Sequence, residues 1–382
     1  MGTMAASEPS PTPARRRSRR VSGVDTARGL ALIGMFVAHV APAAASVDVN
    51  ELIALADERP RLLFALTAGV GLGLLTGGTR PAETGRGALR RQVAIRAVIL
   101  IALGVLVVAI LNPLVYVILD EYGIAFLLLL PLLFVPARVA LALGAVLLAM
   151  APAIAAIAAR DPDLQLASGL DGGLVLDWFL TGAYPVIIWV PVMLLGLGLA
   201  RSDVASPAVV RRSALAGVLA ASVCLPGARL LPDPATLAVD DPAAAWSAPL
   251  RASLETVGNV GVGLLVVAAC VTLTALARPA LRRIASALLS PVTAMGAMPL
   301  TIYTGHLVAI SAAKRVEGGV VTDDSAVLLL GLVVGAMVFA WLWERYVGRG
   351  PLEMVLRWAS GRTRADAARP PAPAADDPVR QN

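Results

Sequence analysis

The chain reads as a series of long apolar runs separated by short polar connections. The runs fall at 25–46, 61–78, 92–111, 114–135, 138–158, 183–200, 212–231, 254–277, 288–312 and 326–346. Each approaches the roughly 20 residues that a helix needs to cross about 30 Å of hydrocarbon. Backbone groups in lipid must be satisfied within their own segment, so runs of this length are helices. A membrane barrel would show short segments of alternating polarity, and the chain has none. The pattern predicts an all-α, polytopic integral membrane protein of about ten transmembrane helices in one bundle. The most broken stretch is 111–135, where Asn112-Pro113 and Asp120-Glu121-Tyr122 interrupt the apolar character.

The connections alternate in charge. One set carries Arg80, Arg86, Arg90 and Arg91, then Arg138, then Arg201, Arg211 and Arg212, then Arg278, Arg282 and Arg283. The other carries Asp48, Glu51, Asp57 and Glu58, then Asp120 and Glu121, then Asp161 to Asp177, Asp233 to Asp241, and Asp323-Asp324. With ten spans every arginine-rich connection falls on the side of the arginine-rich N-terminus. The positive-inside rule then places both termini in the cytoplasm, which predicts a multi-pass protein of the plasma (inner) membrane. Residues 1–20 and 361–382 read as disordered cytoplasmic tails flanking one transmembrane domain over 21–360. The outer connections 159–182 and 232–253 are long enough to cap a cavity but too short for a folded domain.

Composition strengthens this reading and removes another. Of 382 residues 58% are hydrophobic and 15% charged, against about a quarter charged in soluble domains. The excess of 32 basic over 26 acidic residues would suggest nucleic acid in a soluble protein. Here the arginines sit at span ends, so the expected partner is the lipid bilayer and no nucleic acid. Cys224 and Cys270 lie inside apolar runs and read as small packing residues.

Ionisable groups inside a membrane are costly, which makes each a functional candidate. The first span holds Asp25, Arg28 and His39. Eleven residues at 3.6 per turn bring Arg28 and His39 to one face about 16 Å apart, and Asp25 lies one turn before Arg28. An ion pair at the inner end and a histidine deep toward the outer side follow. Imidazole can serve there as general base or nucleophile; an interfacial salt bridge and an interhelical hydrogen bond would read the same way. The only other histidine, His306, shares a face with Tyr303 in the ninth span, at a depth comparable with His39. Arg96 lies more than one turn inside the third span, past Arg90 and Arg91. Two histidines without a carboxylate at ligand spacing do not make a metal site. The glycines Gly69, Gly71, Gly73 and Gly77 suit close helix packing.

These residues resemble a family. Asp25-x-x-Arg28-Gly29 followed by His39 is similar to the first helix of the acyltransferase-3 family. Three blocks resemble the YeiB-like proteins related to heparan-α-glucosaminide N-acetyltransferase. They are Gly182-Ala183-Tyr184-Pro185-x3-Trp189 running to Gly196-Leu197-Gly198-Leu199-Ala200-Arg201, then Gly296-x3-Leu300-Thr301-Ile302-Tyr303, then Gly350-Pro351-Leu352-Glu353-x3-Arg357. The resemblance implies transfer of an acetyl or other acyl group from cytoplasmic acetyl-CoA or another acyl-CoA to an extracytoplasmic glycan, glycolipid or envelope metabolite. It implies catalysis by His39, with Arg28 and Asp25 organising the inner end near the donor. His306 and Tyr303, on one face at a depth like that of His39, join the candidate catalytic set, and the cations Arg28, Arg90, Arg91 and Arg96 suit donor binding through the phosphates of CoA. YeiB-like sequences carry Asn where this chain has His39, and the heparan-type histidine falls in the first outer loop, near Asn50 here. A transporter or flippase of an envelope precursor, or a non-catalytic membrane protein, would share the same architecture. The oligomeric state stays open, a homodimer included.

Overall fold

The computed structural model describes residues 21–43, 46–168, 173–234, 236–237 and 241–361. The two tails, apart from Gly361, lie outside these residues. The helices in chain order are α1 (Ser22–Val40), α2 (Val47–Ala54), α3 (Arg59–Leu75), α4 (Arg86–Leu111), α5 (Leu119–Leu129), α6 (Ala137–Ala158), α7 (Pro162–Ser168), α8 (Leu174–Leu176), α9 (Val186–Arg201), α10 (Pro207–Arg229), α11 (Pro242–Val271), α12 (Pro279–Leu288), α13 (Ser290–Ala297), α14 (Pro299–Ala312), α15 (Ala326–Tyr346) and α16 (Pro351–Ala359). A small antiparallel hairpin, β1 (Arg315–Glu317) with β2 (Val320–Thr322), pairs Val316 with Val321. Its turn is Gly318-Gly319, both at positive φ, as a two-residue hairpin demands.

The fold is that of an all-α membrane protein. Among the described residues six helices are long and apolar enough to cross a membrane: α1, α4, α6, α10, α11 continued to Leu276, and α15. A seventh arises if the bent pair Leu174–Thr181 and Val186–Arg201 is one span. The other apolar stretches are helical but short or divided. Helix α3 has 17 residues and α5 has 11. The stretch 288–312, expected as one span, breaks at Met298 into α13 and α14, where Pro299 cannot continue the preceding hydrogen-bond ladder. The first span, expected to reach 46, stops at Val40 because Ala41 precedes Pro42 and turns extended. The connection 232–253, read as a loop, becomes mostly the start of α11; Asp241 caps it through the Ala243 N–H at 2.8 Å.

Burial ranks the helices. In α1, 61% of the membrane-length window is buried, against 11% in α10 and 6% in α15. Helix α1 is therefore central, packing on α3, α11, α13, α14 and α15. Lipid is as apolar as leucine, so such packing rests on close contact and small residues. A Cβ on Gly69 would stand 2.0 Å from the Met193 carbonyl oxygen, and one on Gly196 would stand 2.1 Å from that of Leu66. Helices α3 and α9 thus touch backbone to backbone, as the glycine stripe of α3 suggests. Both cysteines are free, Cys270 buried.

Candidate active site

The two histidines meet. His39 closes α1 and His306 lies on α14, and their rings stack at 5.3 Å between centroids and 16° between planes. His39 Nδ1 and His306 Nε2 are 3.1 Å apart. His306 Nδ1 is bonded to the carbonyl oxygen of Tyr303, one turn back on the same helix. That carbonyl can only accept, so His306 Nδ1 carries the proton and donates it. His306 Nε2 is then the acceptor in the neutral ring, and His39 Nδ1–H donates to it. The chain of hydrogen bonds therefore fixes one tautomer in each ring and leaves His39 Nε2 with a bare lone pair.

The surroundings hold the pair in place. His306 is 2% exposed and Tyr303 1%. The Phe36 ring lies 5.0 Å from His306. The Tyr303 hydroxyl accepts the Ile118 N–H at 3.1 Å, which ties α14 to the entry of α5. His39 and Tyr303 line a cavity of about 150 Å³ together with Met35, Ile118, Asp57, Arg61 and Tyr184. The Arg61 guanidinium lies over the Tyr184 ring at 5.0 Å, pairs with Glu58 and donates to the Ala183 carbonyl at 3.3 Å. Glu58 also accepts from Asn259 Nδ2 at 3.4 Å, and Arg59 donates to Asn259 Oδ1 at 3.1 Å.

Arg28 and Asp25 sit at the other end of α1. Arg28 Nη1 is 3.2 Å from Asp25 Oδ1, as the one-turn spacing leads one to expect. The same guanidinium donates to the Gly296 carbonyl at 3.1 Å and the Thr67 carbonyl at 2.8 Å. It thus joins α1, α3 and α13, a positioning role the spacing alone did not reveal. Arg90 and Arg91 are exposed on the first turns of α4 and Arg96 is half-buried one to two turns further in. Arg90 donates to the Leu130 carbonyl at 3.2 Å and lies over the Phe134 ring at 5.4 Å. The partners of Arg28 named above are on α1, α3 and α13, apart from this set. Among the described residues no group of three or more His, Cys, Asp or Glu is placed to hold a metal ion.

Three features escaped the sequence. Arg201, expected as a connection charge, is 5% exposed. It donates to the Gly73, Gly78 and Leu133 carbonyls at 2.9, 2.6 and 2.6 Å and to Thr76 Oγ1 at 2.6 Å, filling the open acceptors where α3 ends. Asp57, assigned to a charged connection, and Arg61, the first residue of the second apolar run, line the cavity; charge counting treats a residue such as Asp57 as a topology marker. Glu353 on α16 caps α14, accepting from the Leu300 N–H at 2.7 Å, the Thr301 N–H at 3.2 Å and Thr301 Oγ1 at 2.5 Å. Helix α14 carries both Tyr303 and His306, so the cap sets the height of the histidine. Losing an N-terminal cap costs about 0.5–2 kcal/mol. Glu353→Ala is expected to lower the thermal unfolding midpoint in detergent by a few degrees, whereas an unchanged midpoint would remove the cap from the account.

Helices of membrane length packed around a buried histidine pair are those of an integral membrane protein. Residues 20–230, more than half of the chain, match the family described as heparan-alpha-glucosaminide N-acetyltransferase, catalytic. The chain belongs to this family of transmembrane acetyltransferases. Residues 199–363 match a second family, DUF418, described as a protein of unknown function. No curated protein matches the chain. The three blocks that carried the resemblance each have a structural task. Trp189 Nε1 binds the Tyr184 carbonyl at 2.9 Å and fastens the turn before α9. Gly196 and Arg201 seat α9 on α3, and Glu353 joins the last block to Leu300-Thr301.

Proposed function

We propose that the protein transfers an acetyl group from cytoplasmic acetyl-CoA, or an acyl group from a related thioester, to an amine or hydroxyl acceptor presented at the opposite face. The acceptor class is an envelope glycan, glycolipid or metabolite. The observation that carries this reading is the hydrogen-bonded His39–His306 pair, with its free His39 lone pair beside a cavity. In this reading His39 Nε2 takes the proton from the acceptor N–H or O–H as the acceptor lone pair attacks the thioester carbonyl. The new C–N or C–O bond forms, the C–S bond breaks, and the CoA thiolate recovers a proton. His306 orients His39 and shares its developing positive charge through the Tyr303 carbonyl.

Both termini then lie in the cytoplasm, ten apolar stretches enter the bilayer, and the Arg28 end faces the donor. Arg90, Arg91 and Arg96 supply cations for the phosphates of CoA. From Arg28 to His39 the axial distance is about 16 Å by helix rise, a span that an extended pantetheine arm can bridge. Purified protein in detergent should bind acetyl-CoA and release free thiol slowly, with water standing in for the acceptor. A folded protein that binds neither acetyl-CoA nor a longer acyl-CoA would sink the acyltransferase reading.

A further inference from the structure

Helix α12 has the make-up of a helix that lies on a membrane surface. Leu281, Ile284 and Leu288 recur at i, i+3 and i+7 and are exposed at 50%, 58% and 73%. Arg282 and Arg283 are exposed beside this stripe and Arg278, also exposed, stands just before the first turn. No acidic residue occurs between Glu255 and Glu317, and among the described residues none of the three arginines forms an ion pair. Exposed leucine and isoleucine flanked by uncompensated arginine is the chemistry of an interfacial helix on an anionic bilayer.

Location agrees with composition. Helix α12 joins the end of α11 to α13, both packed on α1. A Cβ on Gly23 would stand 2.6 Å from Val271 Cα, and Thr26 Oγ1 is 2.7 Å from Thr293 Oγ1. The helix therefore sits level with the N-terminal turn of α1, at the rim of the membrane-length helices. Glu353 of α16 grips the start of α14 near this end, and Trp358 of α16 is 75% exposed, a residue type enriched at lipid–water interfaces.

We propose that α12 binds the anionic phospholipid headgroups of the leaflet at the α1 N-terminal end. Its arginines meet phosphate while Leu281, Ile284 and Leu288 enter the acyl boundary. The contact anchors the α11–α13 connection, which in turn holds the α1–α13 interface. It is independent of the acyltransferase reading, because none of the six residues belongs to the histidine site or to the donor-binding set.

The test places the full-length protein in nanodiscs of phosphatidylcholine alone or mixed with phosphatidylglycerol. The thermal unfolding midpoint of the wild type should rise by several degrees with phosphatidylglycerol and fall back as salt is raised. The triple variant Arg278→Gln, Arg282→Gln, Arg283→Gln should keep the phosphatidylcholine midpoint and lose most of the rise. If the variant is unstable in phosphatidylcholine as well, a nitroxide or fluorescent label at Leu288→Cys, with both native cysteines replaced by alanine, decides by its depth relative to the headgroups. A label in water, or an equal rise in wild type and variant, would overturn the proposal. So would burial of the label against a second copy of the chain.

Discussion

Replacing His39 with alanine is expected to abolish nearly all acyl transfer while leaving acetyl-CoA binding within a few-fold of the wild type. A positioned general base contributes roughly 10²–10⁴ in rate. His306 lies behind His39 and does not line the cavity, so its Nε2, freed by the substitution, stays set back from the acceptor. Binding survives because, of the arginines assigned to the donor, Arg28 lies at the opposite end of α1 and Arg90, Arg91 and Arg96 lie on α4. His306→Gln should act through His39, lowering turnover by less than His39→Ala does while leaving donor affinity unchanged. Turnover by His39→Ala at the wild-type rate, with the protein folded, would remove His39 from the chemistry.

The second large effect concerns folding. Helices α1 and α13 approach so closely that a Cβ on Gly296 would stand 1.8 Å from the Asp25 carbonyl oxygen and 2.6 Å from Gly29 N. A Cβ on Gly29 would in turn meet the Val292 carbonyl oxygen at 2.0 Å. The obstructing atoms are backbone and cannot swing aside, so α13 must move away from α1. Overpacking of this kind costs about 1–3 kcal/mol and sometimes more. Arg28 would also lose its bond to the Gly296 carbonyl. Gly296→Ala should therefore lower the unfolding midpoint by many degrees and depress yield. Gly305→Ala is the matched control: a Cβ there meets nothing within 4 Å, and alanine is the better helix former by about 1 kcal/mol. Equal stability of the two variants would show that α1 and α13 are not in backbone contact.

The sequence carried the membrane class, the polar stripe of α1 and the glycine seam of α3, because each follows from a period or a residue type along one helix. The depth of the two histidines was legible from topology, but their contact was not, since it depends on how α14 is rotated and on the break at Pro299. Helix ends at Val40 and Met298 follow from prolines whose local effect is readable; the apolar pattern alone runs past both. Arg201, Arg61 and Glu353 escaped for a common reason. Each satisfies partners 52 to 128 residues away in sequence, and long-range partners leave no local pattern. Arg28 was recognised as an intramembrane ion-pair residue, yet its bonds to the Thr67 and Gly296 carbonyls make it a brace between helices as well.

The direct test of the histidine pair is a double-variant cycle on acetyl-CoA turnover, comparing wild type, His39→Ala, His306→Ala and the double variant at matched folded protein. Groups that act as a unit are strongly non-additive. Both single variants should lose most of the activity, and the double variant should be no slower than His39→Ala. Wild-type turnover in either single variant, or losses that multiply in the double, would contradict a single catalytic pair.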